Sequence, residues 1–339
     1  MDIRSLPKAE LHCHLEGCFR PDTVREVGRT LGIEVPADPA IFRRDWLITE
    51  PMTDLSKALG KFANIQSIWG SAEVIERLTF EACEDARAQG TRILELRYSP
   101  DFIAEGHPGL GFETIHGSIL RGLARAEHPD IAVGLIGIVR KVLAERQAAD
   151  TIDFFIEQRD SLVGFDFADR DIGFGMRRFA PLISRGRAAG LHFTTHCGED
   201  NVPEAALQVK MAIIELGAER IGHGIYAIRD RRVVELARRM QVLFELCPTS
   251  NWLTSSVASV AEHPIRRFMQ AGVPVSINSD DPGLFGIDLG HEYEVLRREL
   301  AFTAAEFDRC NDWAAAHSFL PLAVKQKVWP RPIPPLTKV

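Results

Sequence analysis

The 339-residue chain predicts an α/β fold, a (β/α)8 barrel, on three observations. Eight short apolar, β-rich segments recur in order, at 10–15, 92–98, 131–139, 162–167, 191–196, 220–223, 242–247 and 273–279. Stretches of helical periodicity separate most of them, as at 179–189, 202–217 and 230–240, and such alternation builds parallel strand–helix–strand units. Polar residues collect where several strands end, which in a barrel is the face that carries chemistry. A doubly wound open sheet is the structural alternative. No Gly-x-Gly-x-x-Gly follows the first strand, so a dinucleotide fold has no support.

Most repeats run about 22–40 residues, which makes 1–339 a single barrel domain, but the first interval is more than twice that length. Residues 51–88 within it read as helical, with Leu55, Leu59, Phe62, Ile65 and Trp69 at helical spacing. A helical insertion over about 50–90 would rise from the end of strand one, where it serves as a substrate lid, an extra packing layer, or both. At the other end, 328–335 holds four prolines in eight residues and cannot continue a helix. The tail, about 326–339, is expected to be extended; packing across the surface, joining a partner and partial disorder all remain open.

A chain 45% hydrophobic and 26% charged can bury a large core. Its net charge of −7, with no dominant basic stripe, argues against nucleic acid as a partner. The short run 229–232 is broken by an acid and reads as a solvated face. No apolar run approaches the ~20 residues of a membrane span, and the N-terminus has no charged-then-apolar leader. The six cysteines lack a CxxC pair, so reduced, buried thiols in a cytosolic protein are expected. Cys13 and Cys197 adjoin candidate ligand histidines but read as barrel packing.

His12 and His14 are two apart, so on a strand they share a face, with Leu11, Cys13 and Leu15 on the other. The segment 10–16 then carries two imidazoles and a carboxylate along one side. Alone, His-x-His is equally a pair of hydrogen-bonded core histidines. Matching groups at other strand ends change the balance: 195–200 (THCGED), 222–224 (GHG) and 278–282 (NSDDP). His12, His14, His196 and Asp280 make a zinc ligand set, one ion per chain, with water completing the coordination. Zinc lowers the pKa of that water toward ~7. A binuclear design would use a strand-six histidine and a bridging lysine from strand four; 162–167 (LVGFDF) has no lysine. One metal is therefore favoured, and His223 is free to act as a base or to orient the attacking water. Glu199, three residues after His196, is placed to protonate a ring nitrogen while hydroxide attacks the adjacent carbon. Asp281 can hydrogen-bond another heteroatom of the substrate. Asp166 and Glu245 stand behind His223 or the ligands, or are plain structural carboxylates.

The combination resembles the adenosine deaminase family of zinc aminohydrolases. The matching segments are 8–17 (KAELHCHLEG), 97–100 (RYSP), 163–166 (VGFD), 196–199 (HCGE), 220–224 (RIGHG), 245–251 (ELCPTSN) and 279–282 (SDDP), in family order. The resemblance implies loss of ammonia from C6 of an adenine-type base, with Glu199 protonating N1, His223 managing the hydroxide proton and Asp281 meeting N7. Three places depart from the family. Glu16 stands where adenosine deaminases usually carry Asp against the ribose 5′-hydroxyl; relatives acting on free adenine or modified nucleosides also carry Glu. Residues 168–171 (ADRD) replace Ala-Gly-Asp or Ala-Gly-Asn, so Asp169 keeps the N–H that meets purine N3 but narrows the approach, and Arg170 adds a positive group. These are loop drift around the same substrate or marks of a different 9-substituent, an anionic one included. After 318–321 (SFLP) a family-like helix would be expected, and the proline-rich tail replaces it.

The expectation is a cytosolic, single-zinc aminohydrolase that converts an adenosine-like 6-aminopurine nucleoside to its 6-oxo product and ammonia. Its partner is a small-molecule purine nucleoside or base, with no nucleic acid and no membrane, and an oligomer is open. Alternatives are an adenine deaminase, a deaminase of a modified nucleoside such as aminodeoxyfutalosine, and a non-catalytic purine-binding protein. A zinc-barrel hydrolase of amide or phosphoester bonds fits less well, given the missing lysine and the placing of Glu199.

Overall fold

The structure, a computed structural model, describes residues 2–52, 55–169 and 175–336, side chains 55–59 excepted. Eight strands form one sheet in sequential order, each parallel to the next. They are β1 (Lys8–His14), β2 (Thr91–Tyr98), β3 (Ala132–Arg140), β4 (Gly164–Ala168), β5 (His192–Cys197), β6 (Arg220–His223), β7 (Leu243–Leu246) and β8 (Val275–Ile277). Every strand end lies within two residues of its sequence expectation. The barrel closes at its seam just past β8, where His14 N–H donates to the carbonyl of Asp280 (2.8 Å) and Asp280 N–H to that of His12 (3.2 Å). The fold is the (β/α)8 barrel.

Sixteen α-helices are described. Between β1 and β2 lie α1 (Pro21–Leu31), α2 (Pro39–Trp46), α3 (Leu55–Ser67) and α4 (Ala72–Ala88). Then come α5 (Pro100–Ala104), α6 (Phe112–Arg125), α7 (Glu145–Glu157), α8 (Ala180–Ala188), α9 (Ala205–Ile214) and α10 (Arg231–Met240). The rest are α11 (Pro248–Leu253), α12 (Ile265–Gln270), α13 (Pro282–Phe285), α14 (Leu289–Leu300), α15 (Ala304–His317) and α16 (Leu322–Val328). Among the described residues, no helix is long and apolar enough to cross a membrane. All six cysteines are buried and free of disulfides.

The helical stretch expected over about 50–90 is two helices with different partners. α4 packs on α6 and β2, the place of an ordinary barrel helix, whereas α3 packs on α2 and on the turn after β1. Leu55 and Leu59 lie outside the described side chains; Ile65 and Trp69 are buried. The interval also holds α1 and α2. The α1 segment has clear end signals, a proline in the first turn and Gly32 at φ +71° after the last.

The single polar face expected along 10–16 is broken by a register shift between Glu10 and Cys13. Such a bulge reverses which residues face in. Ala9 and Leu11 pack with Ile93 and Leu243 at one end of the barrel, while Cys13 and Leu15 join the core beneath the helices. Glu10 does not line up with His12 and His14; it accepts hydrogen bonds from the N–H (2.9 Å) and hydroxyl (2.5 Å) of Ser279 at the seam.

A helix, α16, does follow 318–321, where a proline-rich tail was expected to replace it; the prolines begin only at 330. Beyond it the tail packs. Trp329 is buried with Ala9, Leu11, Ala314 and Leu320, and its Nε1 donates to Asp312 (3.1 Å). Arg331 pairs with Asp308 and Asp312, both at 2.8 Å. Trp329→Ala should therefore cost about 3 kcal/mol in urea unfolding, as buried Trp truncations do, with kcat unchanged. A loss under about 0.5 kcal/mol, the size of a surface substitution, would show that the tail is not part of the core.

Candidate active site

The strand ends converge on one cleft of about 670 Å³. β1 delivers His12 and His14, and β5 delivers His196. His223 ends β6 at φ +58°, and Asp280 follows β8 at φ +63°. A left-handed residue at a strand end swings its side chain off the strand's alternation, a strain that non-glycine residues rarely carry. Gly222 makes the room: a Cβ there would lie 3.0 Å from His12 Cε1 and 3.1 Å from His196 Cα.

One ligand atom from each of His12, His14, His196 and Asp280 lies within 4.8 Å of the others. Asp280 Oδ1 is 3.2 Å from the Nε2 of both His12 and His14, and His14 Nε2 is 3.1 Å from His196 Nε2. His12 Nε2 and Asp280 Oδ1 are buried and form no hydrogen bond within the protein. Buried polar atoms without partners are costly, and a cation coordinated by all four would satisfy both. The opposite nitrogens are backed by carboxylates: His12 Nδ1 lies 2.8 Å from Glu245 Oε2, and His196 Nδ1 lies 2.8 Å from Asp166 Oδ2. That arrangement turns both Nε2 lone pairs inward. These residues fit a divalent transition metal. A second cluster, His12, His223, Cys247 and Asp280, shares two members with the first and so competes with it. It lacks the carboxylate-backed histidine pair.

Sequence placed Asp166 and Glu245 behind either His223 or the ligands; both stand behind ligands. Arg97, which the sequence reading gave no role, joins them, with guanidinium nitrogens 2.8 Å from Asp166 Oδ2 and 2.8 Å from Glu245 Oε2. Burial alone would raise Glu245, but Arg97 and Arg220 overcome it and hold its carboxyl below the usual range. His223 is held by Asn251 instead, whose Nδ2 lies 3.1 Å from its Nδ1.

Glu199 faces the same space. Its Oε1 accepts from Thr254 Oγ1 (3.2 Å) and Asn251 Nδ2 (3.4 Å), and its Oε2 lies 3.5 Å from His223 Nε2. Removal from solvent, then the negative charges of Asp280 and Asp200, push its pKa up to about 8. Asp281 is likewise raised to about 8 by burial and by Asp280. Both shifts favour the acid form, the one that donates a hydrogen bond. Glu16 lines the cleft from the turn after β1; Ser99 N–H donates to its Oε1 (2.6 Å), its Oε2 is buried without a partner, and burial raises its pKa to about 7. Asp169 lines the wall at φ +89°, a conformation suited to the glycine expected there. Arg170 and Asp171 lie outside the described residues. Arg140, also in the wall, is already paired with Asp101 and Glu105. Asn251 and Thr254 have sequence neighbours that gave no sign of their contacts, because Glu199 and His223 lie 28 to 55 residues away.

Comparison with known proteins gives the family. The adenosine deaminase family profile covers residues 7–331. Adenosine deaminase of Shigella flexneri serotype 5b is 37% identical over 295 residues, spanning 86% of this chain and 87% of that one. Among solved structures, adenine deaminase from Arthrobacter aurescens superposes with a TM-score of 0.86 at 28% identity, over 95% of this chain and 96% of the other. N6-methyl-AMP deaminase from Arabidopsis thaliana superposes with a TM-score of 0.82 at 27% identity, over 96% of each. The chain belongs to the adenosine deaminase family and is a hydrolytic deaminase.

Proposed function

We propose that the chain catalyses zinc-dependent hydrolytic deamination of an adenosine-like 6-aminopurine nucleoside, giving the 6-oxo product and ammonia. The observation that carries this reading is a buried carboxyl group, Glu199, with its pKa pushed up to about 8, beside four converging metal donors. Zinc held by His12, His14, His196 and Asp280 supplies a water activated for attack at neutral pH. Glu199 Oε1 already accepts two hydrogen bonds, which leaves the proton on Oε2, where it can turn toward the cleft. From there it protonates N1 as the water oxygen bonds to C6; of that oxygen's two protons, one restores the Glu199 acid and the other goes to N6, so that the C6–N6 bond breaks with loss of ammonia and C6 keeps the oxygen. Asp281, also in its acid form, donates to N7. Two donors placed for two ring acceptors select a purine by its nitrogens.

Glu16 and Asp169 face the 9-substituent. With Arg140 already paired, their carboxyl groups favour hydroxyl donors over a phosphate, and so a nucleoside over a nucleotide. Free adenine is the second reading, supported by Glu16 and by the likeness to the Arthrobacter enzyme.

Ammonia release by the zinc-loaded protein should be fast with adenosine or 2′-deoxyadenosine and slow with AMP. Turnover of adenine alone would establish the second reading, and silence across 6-aminopurines would refute both. Glu199→Gln should retain zinc while kcat falls by about 10²–10⁴-fold, the usual contribution of general acid catalysis. Near-normal kcat in that variant would remove Glu199 from the mechanism. His196→Ala should lose bound zinc in elemental analysis; full occupancy would mean a different ligand set. At Gly17 a Cβ would lie 2.2 Å from Asp281 Oδ1 and 2.7 Å from its Cα. Gly17→Ala should therefore lower kcat/KM at least about tenfold by displacing the N7 donor, with zinc content intact. Wild-type kinetics there would argue against Asp281 as a substrate contact.

A further inference from the structure

Glu199 and His223 share one neighbour, Asn251, and a chain of donors behind it determines where their protons sit. The chain starts at a backbone amide, which can only donate. Ile265 N–H donates to Nδ1 of His263 (3.2 Å), so that nitrogen carries a lone pair. Burial presses the pKa of His263 down to about 3, so the ring is neutral and its one N–H is on Nε2. That N–H faces Asn251 Oδ1 at 3.1 Å and fixes which way the amide points. Asn251 Nδ2 then donates to His223 Nδ1 (3.1 Å) and to Glu199 Oε1 (3.4 Å). Accepting there requires a lone pair on His223 Nδ1. With Nδ1 accepting, its proton is on Nε2, the nitrogen 3.5 Å from Glu199 Oε2 and 3.8 Å from Asp280 Oδ2. No member can turn over alone. A flipped Asn251 would set its NH2 against His263 Nε2–H, and a proton moved to Nδ1 of His263 would oppose the N–H of Ile265.

We propose that His263 and Asn251 are positioning residues that lock His223 in its Nε2–H tautomer. His223 then meets the attacking oxygen as a hydrogen-bond donor that orients it, not as the base that deprotonates it. The proposal rests on the active-site reading above.

The test is nitrogen–proton correlation NMR of the histidine-labelled, zinc-loaded protein, with the His223 signals identified by their loss in His223→Asn. The wild-type protein should show a protonated Nε2 and an unprotonated Nδ1 at His223. His263→Phe removes the donor and should give mixed tautomers, with kcat down about 10–100-fold, as for groups that orient active-site ligands, and KM unchanged. His263→Gln restores an amide donor and should recover most of the lost kcat. Asn251→Asp replaces the donor by an acceptor and should move the proton to Nδ1. A wild-type His223 protonated on Nδ1 would overturn the proposal. So would His263→Phe with an unchanged tautomer and full kcat. Should that variant not fold, Asn251→Asp decides alone: Nε2–H retained there refutes the lock. The tautomer is read without substrate, so failure of the lock is distinct from failure of the nucleoside reading.

Discussion

The site depends on one guanidinium. Arg97 has no exposed side-chain surface and joins Asp166 to Glu245 across the inside of the barrel. Each carboxylate stands behind one histidine, so the planar fork of Arg97 sets the angle at which His12 and His196 meet. A lysine would carry the charge without that fork. Arg220 continues the set, pairing with Glu245 (2.7 Å) and Glu95 (2.6 Å). Burying such charges is expensive, and removing one member of a buried pair costs about 3–5 kcal/mol because its partner is left unmatched. With Asp280 included, the ion-paired set is anionic. A divalent cation among the four donors would offset that excess, and folding energetics and metal binding would then draw on the same residues.

Strain and close approach position the remaining groups. His223, Asp280 and Asp169 are non-glycine residues at positive φ, each costing about 1–3 kcal/mol in general. Two of them bring side chains to the metal donors from strands whose alternation would carry them elsewhere. Glycines absorb the crowding that results. Gly222 leaves space for His12 and His196, and a Cβ at Gly283 would lie 2.7 Å from the carbonyl of Gly17. The turn after β1 and the start of α13 are therefore held nearly backbone to backbone, which keeps Glu16 and Asp281 in one wall.

Much of this was legible from residue order, because strand alternation and strand-end polarity are local signals. The eight strands and the four metal donors follow from them. What was not legible depended on contacts distant in sequence or on single-residue irregularities. The bulge at Glu10–Cys13 leaves no compositional mark, so Glu10 was placed on the wrong side of β1. Arg97 on an apolar strand gives no hint of which carboxylates it will meet. Asn251 and His263 both follow β7, and they acquire meaning only when that segment lies against the ends of β5 and β6, which carry Glu199 and His223. The α16 helix was obscured by the prolines that follow it, although its own seven residues contain none.

One barrel mouth holds carboxyl groups in opposite states, and the difference lies in what each one faces. Asp166, Asp280 and Glu245 are as buried as any group in the protein, yet histidines and arginines hold them ionised. At Glu199 and Asp281 the pull of nearby histidines is outweighed by burial and by the charge on Asp280, which drive them toward the acid form. Burial raises all five; a neighbouring cation decides which stay charged. The floor of the cleft thus sets four converging metal donors beside two carboxyl groups shifted toward the acid form. The walls above it come from other elements. Met52, Phe62 and Ile65 reach the cleft from the long interval after β1, and Phe102 and Asp169 from the ends of β2 and β4. Changes in those walls alter what is attached to the base without touching the donors that act on it. Glu16 and Asp169 stand in those walls, so under the proposed reading they bear on the choice of substrate and leave the donors below them unchanged.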